Sequence, residues 1–578
     1  MSRIDEKPSS SLLPTQLSTP AAARPATRSS INHQRRLLRS SLRLGFILLA
    51  AYVLLWLTQL GDNDQDKATI FHHPHHKKHY AKKYHFEKHM QKDVDQLVSA
   101  SLESNIVWNR LAEMTDTFGP RIVGSEALEK AIDWIIENVR ADNLSVTTED
   151  VVVDYWQRNH ESLHFLSPTR GSVKLHILGL GNSVSTPDPI NGLEAEIIVA
   201  HSKEELEQLG IAGKVKGRVV LWNKPFGSYD DSVVFRSLGV VWAQEHGAVA
   251  SLVRSVAPFS LQSPHTGFTD PANIPAAAIS HEDAGLLERS LKRHLQDPER
   301  FPDWPKVRLI MGASREPQSR ISRNTIIELK GRERPDEIVV VGGHIDSWDV
   351  GSGAVDDGAG CFIAWETIRQ LSRLRRPPRR TVRVVFWTSE EDTSAGGRVY
   401  AKNHPETDTE RHVFAFESDT GVFDPYGIAF APGRRHQAGS SESVIWDSYD
   451  FMTAAGEYFM GERKDLGYPG AGKYVLPDGE GEDIVFLCEQ GVACAMFIPA
   501  DPFPLPYSTS PLAVGKESTK NRKHNHLKEP RRPVDNGYFY YHHAEADTME
   551  AFTPDQLKRS AAVMAIWTYI AAESTVDL

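Results

Sequence analysis

Cysteine is nearly absent from this chain of 578 residues: Cys361, Cys488 and Cys494 are the three it has. An odd count leaves at least one thiol free, and so few exclude a disulfide framework as the source of stability. Cysteine usage leaves the redox compartment open. A basic excess is lacking too. Lys and Arg number 65 against 76 Asp and Glu, a formal net charge of -11. That argues against a general nucleic-acid binder, because neutralising phosphate needs surplus cations. The length exceeds that at which one hydrophobic core keeps growing, so two or more folded units are expected.

The N-terminus carries its own signal. Residues 1–43 hold eight Arg or Lys and two acids among Ser, Pro and Ala, the composition of a disordered tail. No charge then appears from Leu44 to Gly61, eighteen residues, the lower range for a membrane span. Basic residues precede the run, and Asp62, Asp64 and Asp66 follow it. The positive-inside rule therefore predicts a single-pass type II anchor, with everything after residue 61 lumenal or outside. A buried core helix is disfavoured because the tail is too polar to pack around one. A cleaved signal, giving a secreted chain after N-terminal processing, is the second alternative; the long preceding tail and the missing A-x-A-like site count against it. In the anchored orientation the sequon Asn143-Leu144-Ser145 is open to glycosylation.

Residues 62–92 read as a stalk rich in His and Lys, including His72, His73, His75, His76, His79, His85 and His89. Such tracts bind transition metals weakly, but a solvated spacer is the better reading, since no carboxylate or thiol gives the histidines a geometry. Helical periodicity then covers Val94 to Met114 and Glu126 to Ala141. Residues 93–190 are expected to form the first part of the main domain. From 191 to 311 the texture changes to short apolar strands, Gly217–Trp222 and Gly247–Val253, separated by one helix over Val233–His246. This stretch carries no cluster of metal-type ligands and is expected to be a small inserted β-rich module. The main α/β unit resumes over 312–578, with strands at Ile338–Ile345, Val382–Thr388, Val413–Glu417 and Ala493–Ile498. The amphipathic segment Gly360–Leu374 joins the first two as a β-α-β unit, which implies parallel pairing. Pro554–Glu573 is a helix. Residues 508–536, polar and basic with proline, are expected to be a surface loop.

The chemistry gathers at strand ends. The apolar run Ile338-Val339-Val340-Val341 leads into Gly342-Gly343-His344-Ile345-Asp346, so His and Asp emerge where open α/β sheets place ligands. Asp356-Asp357-Gly358 follows ten residues later. Imidazole with carboxylate at such a rim suits a divalent cation such as zinc. Glu390 and Glu391 follow the second strand, Glu417-Ser418-Asp419 ends the third, and His542-His543 come near the C-terminus. Taken singly, adjacent acids usually belong to a solvated face and a lone His is usually structural. The joint pattern is hard to dismiss, because each set follows an apolar strand or closes the same unit.

With these residues in view, the sequence resembles the M28 zinc exopeptidases, and within them a carboxypeptidase branch. The resemblance runs from about Val94 to the C-terminus through Thr117-Phe118-Gly119-Pro120-Arg121, His344 to Gly351, and Gly479-Glu480-Gly481 with Asp483-Ile484. It implies a three-layer α/β/α fold around a mixed sheet, with a protease-associated-like domain inserted. It also implies two Zn2+ ions: His344 and Asp419 on one, Glu391 and His543 on the other, and Asp356 bridging. Asp346 would accept the remaining ring N–H of His344. Glu390 would be the general base activating a water between the metals. His542 could replace His543, although the family pattern favours the latter. Ala544 and Glu482 depart from residues usual in the family, a small hydroxyl and Thr; neither is a ligand. The reading that results is a membrane-anchored dizinc exopeptidase acting on dipeptides or short peptides, with a homodimer as the family's assembly. An aminopeptidase on the same core and an inactive receptor or scaffold are the alternatives. The full ligand set speaks against the latter, and against a glutaminyl cyclase with a reduced metal site.

Overall fold

The computed structural model describes residues 84, 86–407, 410–433, 442–502, 537–576 and 578. The expected tail, the anchor 44–61, most of the stalk and the loop 508–536 lie outside the described residues. Among the described residues no helix is long and apolar enough to cross a membrane.

An eight-stranded mixed sheet carries the main unit. Its order is Ser145–Val153, Arg320–Leu329, Arg380–Trp387, Arg334–His344, Arg411–Glu417, Ala493–Pro499, Pro425–Ala431 and Tyr474–Leu476. The pairs around Arg334–His344 are parallel, as the β-α-β reading predicts, and antiparallel strands lie toward both edges. Side chains on a strand alternate between faces, so the run 338–341 feeds two cores. Val339 and Val341 pack with helices Ile106–Phe118, Glu126–Ala141, Ala359–Leu371 and Pro554–Glu573. Ile338 and Val340 pack on the other side with Tyr400, Ala401, Leu487 and Cys488 of two smaller helices. The expected α/β/α layering with a mixed sheet is therefore present. The C-terminal helix spans Pro554–Glu573 as predicted, because Thr553 and Gln556 form a capping box and proline opens its first turn.

Several expectations need correction. Val94–Met114 is two helices, Lys88–Glu103 and Ile106–Phe118, broken at Ser104-Asn105. The first begins inside the predicted stalk, where His89 Nε2 meets Glu573 at 2.9 Å. The inserted unit is a second eight-stranded sheet with its own core. It begins at Glu161 rather than 191. Strand Glu161–Ser167 alternates buried with half-buried positions and Gly171–Leu175 is mostly exposed, so both lack the apolar run that marks a buried strand. The unit is also more helical than expected: helices separate its parallel strands Leu193–Ala200, Val219–Trp222 and Ala250–Arg254, and another follows the fourth, Ala276–Ile279. Val233–His246 is not one helix: Tyr229–Ser237 ends at Leu238 and Gly239–Glu245 follows. The Thr269 hydroxyl lies 2.9 and 3.0 Å from the carbonyls of Arg236 and Ser237, taking acceptors that a continuous helix would use internally. Cys488 and Cys494 form one disulfide, with Cα atoms 5.9 Å apart across the turn into strand Ala493–Pro499, and Cys361 is the buried free thiol. Asn143 sits in the exposed turn after helix Glu126–Ala141.

Candidate metal centre

Strand Arg334–His344 delivers His344 to the rim of the sheet, fully buried. Gly343 precedes it because a Cβ there would strike the Asp357 carboxylate. The loop beyond is held from outside. Arg121, fully buried, donates to the carbonyls of Ile345 at 2.8 Å, Ser352 at 2.7 Å and Gly353 at 2.8 Å. Asp547 Oδ1 accepts the Val355 amide at 2.6 Å. Between these two anchors the turn presents Asp356.

Asp356 stands at the centre of the constellation. Its Oδ1 lies 3.2 Å from His344 Nε2, and its Oδ2 lies 3.4 Å from His543 Nε2. His344 Nε2 is also 3.4 Å from Asp419 Oδ1, and His543 Nε2 is 2.8 Å from Glu391 Oε2. Two donor groups thus share one carboxylate. The described residues offer two close sets of possible ligand atoms, His344 with Asp356 and Asp419, and Asp356 with His542 and His543. His542 Nε2 is more distant from Asp356, at 3.9 Å, and its ring stacks on that of His543. All six residues expected to act at the centre therefore converge, Glu390 included, with its Oε2 3.9 Å from His344 Nε2.

The electrostatics call for a cation. Asp356 Oδ2, Glu391 Oε1 and Asp419 Oδ1 are buried and accept no hydrogen bond, a costly state for carboxylates unless they are paired or coordinate a metal. Burial pushes Asp419 up to about 6. It pushes Glu390 and Glu391 well above the carboxylate range, with neighbouring acids adding to the shift. His344 is raised instead: burial opposes its charge, but Asp419, Asp356 and Glu390 outweigh that. His542 falls to about 3, and His543 falls well below the usual value, because both are buried. An excess of acid over base, with bare carboxylate oxygens beside imidazole nitrogens, fits zinc, which takes these two ligand types.

Asp346 does a different job from the expected one. His344 Nδ1 lies 3.0 Å from the Asp346 main-chain carbonyl, with the carboxylate 3.8 Å away. The carboxylate oxygens instead accept the amides of Glu390 at 3.2 Å and Glu391 at 3.3 Å. Ser389, in the left-handed region at φ 67°, turns the chain after strand Arg380–Trp387 so that those amides point at Asp346. Asp346 therefore positions the two glutamates, while its backbone sets the tautomer of His344.

The inserted unit supplies residues that no motif or periodicity marks. His543 Nδ1 lies 3.3 Å from the Thr266 carbonyl and 3.3 Å from Arg236 Nη1. The Thr266 amide donates to the His543 carbonyl at 2.9 Å, and His265 Nδ1 meets the His542 carbonyl at 2.6 Å. The unit also closes one wall of a cavity of about 510 Å³, where Tyr229 and Arg236 face Asp356, Glu390, Glu391 and Glu482. No local periodicity marks these positions as functional.

His265 gives this seam a pH dependence. Burial lowers both His265 and His281 to about 4. A histidine held neutral in the fold titrates first in the unfolded chain, so stability is complete above about 6.5 and falls as the pH drops toward 4. The loss is up to about 3 kcal/mol for each histidine, taken from the shift between those two values. Thermal unfolding midpoints between pH 7 and 4.5 test this. His265→Gln should flatten the curve, and an unchanged slope in that variant would remove His265 as its source.

Comparison with known proteins accords with this geometry. The profile of peptidase family M28 matches residues 324–568. Carboxypeptidase Q of Homo sapiens is 34% identical over 474 residues, covering 81% of this chain and 86% of that protein; the Pongo abelii protein is 35% identical over the same length and shares. Among solved structures, a peptidase M28 precursor from Shewanella amazonensis SB2B superposes with a TM-score of 0.68 at 29% identity, covering 85% of this chain and 98% of that one. A zinc aminopeptidase of Bacillus subtilis shares the fold at a TM-score of 0.53 and 19% identity, covering 82% and 97%.

Proposed function

The chain belongs to peptidase family M28 and is a zinc metallopeptidase, and from that membership we propose that it is a dizinc exopeptidase hydrolysing dipeptides or short peptides. One observation carries the proposal: the two oxygens of Asp356 are directed at two separate donor groups, each with its own histidine and a further acid. His344 and Asp419 would hold one ion, Glu391 and His543 the other, and Asp356 both. When bound, such a pair polarises the scissile carbonyl and makes water nucleophilic at neutral pH.

The protein's own residues do the rest. Glu390 is half-buried at the cavity wall, and Asp346 fixes its backbone through the amide. Burial beside Asp419, Asp346 and Glu482 raises its proton affinity, and bound cations pull it back toward neutrality, the range that suits a general base. Its carboxylate takes the proton from the attacking water and passes it to the leaving amine. The Thr266 carbonyl accepts the Nδ1 proton of His543 and keeps Nε2 bare toward Glu391. The walls from the inserted unit limit solvent around the reacting groups.

The sequon at Asn143 and the disulfide at Cys488 and Cys494 suit the lumenal or external side, where disulfides persist, and the run 44–61 is proposed as the anchor. A dipeptide panel on the purified chain, with free and with blocked termini, tests the activity. Cleavage that a chelator abolishes and zinc restores is expected. Cleavage that ignores the chelator, or none after zinc loading, would overturn the reading.

A further inference from the structure

The cavity over the metal centre holds more acid than two ions account for. A pair of Zn2+ would cancel the charges of Asp356, Glu391 and Asp419, and of Glu390 beside them. The same lining also includes Glu482, from the main unit, and Asp230, from the inserted one. Both are exposed, whereas the ligands and Glu390 are buried or half-buried. Among the described residues neither has a basic side chain within ion-pair distance. The guanidinium in the same wall is turned elsewhere: Arg236 donates to the Tyr229 hydroxyl at 3.0 Å and lies 3.4 Å from the Thr266 carbonyl.

Glu482 stands on a fixed backbone. Glu417, fully buried, accepts the amides of Glu482 at 2.9 Å, Asp483 at 3.1 Å and Ile484 at 3.3 Å. The turn into that grip needs Gly481, at φ 62°, where a Cβ would strike the Glu417 carboxylate. Glu417 ends strand Arg411–Glu417, two residues before Asp419. One strand end therefore sets both a metal ligand and the backbone of Glu482. The side chain is near enough to Glu390 and Asp419 to raise the proton affinity of each, yet it belongs to neither close set of ligand atoms. The threonine usual at this position in the family would bring no charge there.

An exposed, unpaired carboxylate beside the reacting groups attracts a cation that arrives with the substrate. The α-ammonium of a dipeptide sits next to the scissile carbonyl, among the inner acids. A lysine or arginine head group ends a long apolar stem and reaches the wetter wall. We propose that Glu482 binds the basic side chain of peptide substrates, with Asp230 adding to the field from the inserted unit, so that peptides containing Lys or Arg are favoured. The proposal rests on the peptidase reading above and adds a side-chain preference to it.

The test compares dipeptides containing lysine with the same dipeptides containing norleucine, on the zinc-loaded full-length chain. Norleucine keeps an unbranched apolar stem and lacks the ammonium. Both substrates carry the same α-ammonium and α-carboxylate, so the ratio of kcat/KM reads the side-chain charge alone. The wild type should favour lysine by about 3- to 10-fold, the range for one or two exposed ion pairs, and high salt should shrink that preference. Glu482→Gln should bring the ratio toward one, chiefly through KM on the lysine substrate, and Asp230→Asn should lower it less. Any change that Glu482→Gln makes in the proton affinity of Glu390 touches both substrates alike and cancels in the ratio. A ratio that survives Glu482→Gln would overturn the proposal, whether Glu482 is then merely structural or meets the α-ammonium. Equal cleavage of both substrates by the wild type would overturn it alone, whereas cleavage of neither would take the peptidase reading with it.

Discussion

Glu390→Gln lowers kcat by about 10²- to 10⁴-fold, the contribution of a positioned general base, and leaves zinc content unchanged. Glutamine preserves the shape of the side chain and cannot take a proton. Glu390 lies 3.9 Å from His344 Nε2, farther than Asp356 or Asp419, so its loss removes no short contact from the ligand set. Metal analysis beside steady-state kinetics separates the roles. A variant that keeps both zinc and substantial turnover would remove Glu390 as the base. One that loses zinc would make it a ligand.

Asp356→Asn has the other large effect, and through the opposite route. Asparagine offers one oxygen and one NH2, so one of the two donor groups then faces a donor in place of an acceptor. We expect zinc content to fall by half or more and kcat/KM by about 10³-fold or beyond, since several kcal/mol of charge stabilisation depend on the pair of ions. Stability should move in a telling direction. Zinc raises the melting temperature of the wild type by mass action and should raise that of the variant much less. Under chelation the order should reverse or close, because Asp356 is then a buried carboxylate with a bare Oδ2. Full zinc content in the variant would show that Asp356 does not join the two groups.

What could be read from sequence was what lies along a strand. The apolar runs before His344, Glu390 and Asp419 announced buried parallel strands, and their polar ends announced the rim. The edge strand Ser145–Val153 and its neighbour Arg320–Leu329 carry no apolar run because polar residues interrupt them, though they pair over nine residues. The role that the family resemblance implies for Asp346 differs from the observed one because a motif cannot tell a carboxylate from the carbonyl of the same residue; the ring of His344 meets the carbonyl. Arg236, Thr266 and Tyr229 could not be found at all. They reach the centre only because a unit with a separate core folds back over His542 and His543, more than 270 residues farther along the chain.

That fold-back has a thermodynamic corollary. The unit grips the His542-His543 backbone through Thr266 and His265 while holding the ring that would bind an ion. Coupling between sites is reciprocal: if seating the unit improves the metal's affinity, the metal strengthens the seating by the same factor. A cell compartment poor in zinc would then receive a protein that is both inactive and looser at this seam, open to proteases where the loaded form is closed. Metal supply would set the lifetime of the molecule as well as its activity.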